Sequence, residues 1–96
     1  MDTREAKQAR YEAERDPLLK VFGNTIRALH EERGYTQESF ARAANLHPTY
    51  IGCLERGERE PRLSIMLILA DTLKVPLDRL AQGLPVPKER KPPPLS

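Results

Sequence analysis

The side chains best suited to chemistry lie close together in the chain: Gln37, His47, Thr49, Tyr50, Cys53, Arg56 and Arg59. They offer an amide, an imidazole, hydroxyls, a thiol and guanidinium groups, an inventory for hydrogen bonding and for holding anions. Bond-making chemistry needs more than that. No nucleophile stands beside a base, no glycine-rich phosphate loop or paired-carboxylate motif is visible, and a chain of 96 residues leaves little room for a cleft. Two histidines and one cysteine, scattered along the chain, match no metal-ligand spacing. The pattern argues against an enzyme, a metal or another cofactor, and for a protein that recognises a partner.

These side chains need rigid elements to position them, and the stretch TQESFARAANLHPTYIGCLERG, from Thr36 to Gly57, reads as two short helices joined by a tight turn. Thr36 can cap the first with its hydroxyl, Gln37 and Glu38 fill its first turn, and Phe40, Ala41 and Ala44 form an apolar face. Asn45 tolerates a left-handed backbone, so the chain can turn there without a glycine and send Leu46 back into a core. Pro48 suits the first position of the next helix, Ile51 and Leu54 point inward, and Gly57 stops it. Two helices joined at a steep angle make a helix-turn-helix.

The flanking sequence supplies a scaffold. Asp16-Pro17 reads as a helix start, and Leu19, Phe22, Ile26 and Leu29 make one apolar face before Gly34, with His30 at its border. After the loop EREPR, Leu63 to Val75 is apolar almost all round. Leu63, Met66, Leu67, Ala70 and Leu73 cluster on one side as core, whereas Ile65, Ile68 and Thr72 lie opposite with Leu69 at the flank, a seam for a second subunit. Pro76 starts a last short helix in which Leu77 and Leu80 close the core before Gly83. The prediction is an all-α, five-helix domain over residues 17–83.

Residues 1–16 form an extension of good helix formers with only a thin stripe of Ala6, Ala9 and Ala13, and Asp2 with Glu5 offers a capping box. Residues 84–96 are proline-rich and basic and read as a flexible tail. Sixteen Lys and Arg against fourteen Asp and Glu leave a net charge of only +2, so any affinity for nucleic acid depends on where individual arginines lie. A lone cysteine forms no internal disulfide, no apolar run approaches the ~20 residues needed to span a bilayer, and the N-terminus is too charged for a signal peptide. A cytoplasmic protein is expected.

Taken in order, FGNTIRALHEERG, YTQESFA, YIGCLERGEREP and LADTLKVPLDRL resemble the phage repressor and Cro type of helix-turn-helix, the XRE-like family, over Pro17 to Gly83. Within it, Thr49-Tyr50-Ile51 resembles the controller proteins of restriction-modification systems. The resemblance implies a lambda-repressor-like fold and a transcriptional regulator, a repressor or autoregulator. Such a protein binds double-stranded DNA as a homodimer on a pseudo-palindromic operator, with the second helix of the motif in the major groove. No small-molecule ligand is implied, because the appended sensor domain is absent.

The resemblance also assigns roles. Gln37 is matched to a phosphate contact at a helix N-terminus, and His47, Thr49 and Cys53 fall on the DNA-facing side of the third helix. Pro48 stands where relatives often carry Arg or Gln and cannot donate, which shifts readout to apolar contact, Tyr50 and DNA shape. Tyr50 either donates to a phosphate or packs on the first helix. Arg56 and Arg59 either grip the backbone or form salt bridges with Glu58 or Glu60. Glu55 is matched to a structural brace whose partner here is His30. The competing reading is an antitoxin-like protein-interaction adaptor on the same fold.

Overall fold

The computed structural model describes the backbone of residues 3–88 and the side chains from residue 17 onward. The capping box of Asp2 with Glu5, the alanine stripe and the tail beyond residue 88 lie outside the described residues. Five α-helices and no strand are found among those described: α1 Thr3–Glu32, α2 Gln37–Ala44, α3 Pro48–Glu55, α4 Leu63–Leu73 and α5 Leu77–Ala81.

The first helix corrects one expectation. Pro17 lies inside α1 and does not begin it, so the extension and the first scaffold helix are a single element of 30 residues. Proline already has a helical φ; it removes one hydrogen bond to the carbonyl four residues earlier, and strong helix formers on either side carry the helix through.

The central turns follow their local chemistry. Thr36 and Ser39 form a reciprocal capping box, with Ser39 N donating to Thr36 Oγ1 at 3.0 Å and Thr36 N to Ser39 Oγ at 2.8 Å. Asn45 adopts a left-handed conformation (φ 56°, ψ 43°), which lets Leu46 N reach the Ala41 carbonyl at 2.8 Å. Lys74 adopts the same conformation without being glycine (φ 58°). Lys74 ends α4 at Leu73, before the expected Val75, and its left-handed turn lets Val75 N reach the Ala70 carbonyl at 3.0 Å. Arg33 donates from Nε to the Leu73 carbonyl and ties the end of α1 to the end of α4.

One core joins all five helices, with Phe22 and Ile26 from α1, Phe40 from α2, Ile51 and Leu54 from α3, Leu69 and Leu73 from α4, and Leu80 from α5. Gly23 makes the closest approach possible. A Cβ there would collide with the Leu54 and Glu55 carbonyls, so the middle of α1 and the end of α3 touch backbone to backbone.

The α4 faces differ from the expected division. Leu69, assigned to the subunit seam, is fully buried in the protomer's own core, and Ile65 is half-buried against it. Leu63 and Leu67, assigned to the core, are 63% and 51% exposed, and Ile68 is 38% exposed. The helix is rotated because its buried arc centres on Leu69, Leu73 and Met66. An almost uniformly apolar helix carries too little polarity to fix its own rotation from sequence.

Candidate nucleic-acid interface

The α3 helix presents one outward stripe. Thr49, Cys53 and Arg56 are spaced four and three residues apart, so they line one side, opposite Ile51 and Leu54 in the core. Thr49 and Arg56 are exposed and Cys53 is partly so. The stripe therefore offers a hydroxyl with its methyl, a thiol and a guanidinium in a row. His47 precedes it as the N-cap, with Nδ1 accepting from Thr49 N at 3.0 Å. That leaves the far edge of an exposed imidazole beside the stripe.

Arg56 is engaged within its own loop. It forks onto Glu58, Nε to Oε2 at 2.9 Å and Nη2 to Oε1 at 3.1 Å, and Nη2 also lies 3.8 Å from Cys53 Sγ. The fork raises the arginine pKa and lowers that of Glu58, each stabilising the charge of the other. Arg59 is exposed and has no side-chain partner among the described residues. Of the two arginines expected near Gly57, one is held by an acid and one stands open.

Tyr50 is half-buried and shares a cleft with Leu46, His47, Arg59, Arg62 and Ile65. It also packs against the core, to which α1 contributes Phe22, Ile26 and Leu29.

Behind the stripe lies a polar junction of three helices. His30 Nε2 is 2.5 Å from Glu55 Oε1, with both side chains almost out of solvent. The Nδ1 edge of the same ring donates to the Tyr35 carbonyl at 3.1 Å, and its face stacks on Phe40 with centroids 5.3 Å apart. The other oxygen of Glu55 accepts from Gln37 Nε2 in a short hydrogen bond. Gln37 is the exposed first residue of α2, and its link to Glu55 is something sequence reasoning missed. The signal that could have revealed it is Gly52, whose missing side chain opens α3 to the Gln37 amide. A Cβ there would stand 3.5 Å from Gln37 Nε2 and 3.0 Å from Arg56 Nη1.

No group of metal-ligating side chains forms among the described residues, and no helix there is long and apolar enough to cross a membrane. The arrangement holds neutral and cationic hydrogen-bond donors along one helix and at the N-terminus of another, which is chemistry for binding an anionic, grooved surface.

Comparison with known proteins points the same way. The sequence matches the helix-turn-helix family over residues 26–80, more than half of the chain. The HTH-type transcriptional regulator YazB of Bacillus subtilis is 40% identical over 62 residues, spanning 65% of this chain and 90% of its own. The control protein C.SmaI of Serratia marcescens is 36% identical over 69 residues, spanning 70% and 82%. Among solved structures, the restriction-modification controller protein C.AhdI of Aeromonas hydrophila aligns with a TM-score of 0.63 at 35% identity, over 65% of this chain and 94% of its own.

Proposed function

Since the chain belongs to the XRE-type helix-turn-helix family of DNA-binding transcriptional regulators, we propose that it acts as a homodimer on a pseudo-palindromic operator, in the manner of a restriction-modification control protein. The observation that carries this reading is the exposed Thr49–Cys53–Arg56 stripe on α3, flanked by Gln37 at the N-terminus of α2. The stripe enters the major groove. There the Thr49 methyl and hydroxyl meet base edges, and Gln37, Arg56 and Arg59 meet phosphates, with His47 and Tyr50 at the margins. Pro48 and Cys53 are weak donors or none, so part of the specificity comes from the shape of the DNA.

The dimer seam is the bare side of α4, where Leu63, Leu67 and Ile68 stand exposed and Thr72 lies at the edge with its hydroxyl returned to the Ile68 carbonyl at 2.8 Å. Ile65 borders this surface from the protomer side. For half-sites one DNA turn, ~34 Å, apart, the two α3 helices of this dimer must stand at that spacing. Residues 17–83 form the DNA-binding domain, with 1–16 and 84–96 as appendages to it, and the protein works in the cytoplasm as a repressor or autoregulator.

Selection of bound duplexes from a random pool tests the reading. A two-fold symmetric consensus, bound with a steep salt dependence by a species of dimer mass, is expected. A pool with no enrichment, from a chain that instead captures a protein partner, would overturn it in favour of an adaptor.

A further inference from the structure

We infer that Glu55, whose side chain stands almost out of solvent between α1, α2 and α3, is the residue that aims Gln37 at the DNA backbone, with His30 holding Glu55 in place. The inference rests on the DNA-binding reading and adds to it a positioning residue that touches no DNA.

Four observations carry it. An ionised carboxylate can only accept, so the nitrogen end of the Gln37 amide must be the end that meets Glu55 Oε2, and Gln37 Oε1 is turned away. One N–H of that nitrogen is thereby used, and the second remains for an outside acceptor. The amide also lies against the bare backbone of Gly52, where a Cβ would sit 3.5 Å from Nε2 and 3.7 Å from Oε1. It therefore borders the Thr49–Cys53–Arg56 stripe and is packed on one side. Glu55 cannot swing to another partner, because His30 Nε2 holds its Oε1 at 2.5 Å. Finally, the His30 ring is itself fixed by the Tyr35 carbonyl and by stacking on Phe40.

The consequence is preorganisation. A free glutamine at a helix N-terminus samples many rotamers and loses that freedom when it captures a phosphate. Here the side chain is oriented before DNA arrives, beside the Gln37 and Glu38 backbone amides that the Thr36–Ser39 capping box leaves open. The His30–Glu55–Gln37 chain runs from a buried ring to an exposed donor, through one carboxylate that all three helices share.

Double-mutant cycles test it. Affinity for a random-sequence duplex of about 20 base pairs, held at low salt where phosphate contacts dominate, is measured by fluorescence anisotropy. Gln37→Ala is expected to weaken binding about tenfold, the range of a hydrogen bond to a charged group. Glu55→Met should lose about the same, and Gln37→Ala added to Glu55→Met should cost nothing more. Glu55→Gln should retain affinity, because a carboxamide oxygen can accept from Gln37 while its nitrogen donates to His30 Nε2. A purely structural Glu55 would give additive losses, and that result overturns the inference, as does wild-type affinity in Glu55→Met.

If Glu55→Met fails to fold, the Gln37 side-chain amide in the free, unmodified protein decides. Overhauser contacts from one of its two amide protons to Glu55 are expected, and an amide with free-glutamine shifts and no such contacts overturns the inference. A wild-type chain that binds no duplex at all would remove the DNA reading itself. An ordered Gln37 amide in that case separates the two failures.

Discussion

Helices α3 and α4 are both short and largely apolar, yet the fold treats their outer sides in opposite ways. The inner face of α3 is locked to α1 by the backbone contact at Gly23 and by His30, and to α2 by Gln37. Its outer face carries Thr49, Cys53 and Arg56. The inner face of α4 is equally dry, with Leu69 and Leu73 fully buried, but its outer face is Leu63, Leu67 and Ile68. An exposed polar stripe is stable in water and ready for a charged partner, whereas an exposed apolar one is stabilised when a second surface covers it. The difference teaches that α3 is completed within one protomer, whereas α4 keeps an apolar outer face, the one assigned above to the proposed dimer.

The sharpest way to break that comparison is to cut each face of α4 separately. Leu73→Ala should destabilise the protomer by about 2–5 kcal/mol in urea denaturation, the range for opening a cavity in a packed core. Leu67→Ala should shift monomer stability by no more than about 0.5 kcal/mol, as for an ordinary surface change, while making the melting temperature depend less on protein concentration, because a weakened dimer leaves more monomer. Equal losses from the two would place Leu67 in the core and dissolve the distinction.

The anchoring of α3 can be attacked next. Gly23→Ala should cost about 1–3 kcal/mol through forced separation of α1 and α3. The sign is informative, because alanine is the better helix former by roughly 1 kcal/mol and would stabilise a helix with open space at that position. A denaturation midpoint that rises would mean α3 is not seated against the backbone of α1.

Much of this was legible in the chain. Thr36, Asn45, Pro48 and Gly57 each have a backbone role set by their own chemistry, so the ends of α2 and α3 could be read residue by residue. Leu19, Phe22, Ile26 and Leu29 declared the buried face of α1 by spacing against polar neighbours. The rotation of α4 was not legible, because in a run such as LSIMLILADTL the apolar period has little contrast and neighbouring helices decide which side goes in. The continuation of α1 through Pro17 was missed for a related reason. Asp-Pro is a start signal only when the preceding residues are poor helix formers, and here they are good ones. At the interface, residue types identified Gln37 and Arg56 as donors and spacing offered Glu58 to Arg56, but the attachment of Gln37 to Glu55, 18 residues away, depends on how the chain folds back, which spacing does not encode.

A test of the α4 surface with a subtler readout is Ile68→Glu. The charge is tolerated at a position already 38% exposed, so the thermal midpoint of the dilute protein should hardly move. In sedimentation at micromolar concentration the dimer should give way to monomer, and cooperative occupation of paired half-sites should disappear with it. A dimer that survives Ile68→Glu would move the seam away from α4.

The smallest expected effect separates the two arginines after α3. Arg59 is open and Arg56 is forked onto Glu58. If both grip phosphates, each alanine substitution lowers the slope of log affinity against log salt by about 1. Arg56 must first release Glu58, and that carboxylate then stands uncompensated near the DNA, so part of its gain is offset. Arg59→Ala should therefore lose more affinity than Arg56→Ala, and Glu58→Gln should tighten binding more in the wild type, where it also frees Arg56, than in Arg56→Ala. Titration in increasing salt checks all three. A slope left unchanged by Arg56→Ala, with no response to Glu58→Gln, would mean the fork persists on DNA, leaving Arg59 and Gln37 to hold the backbone.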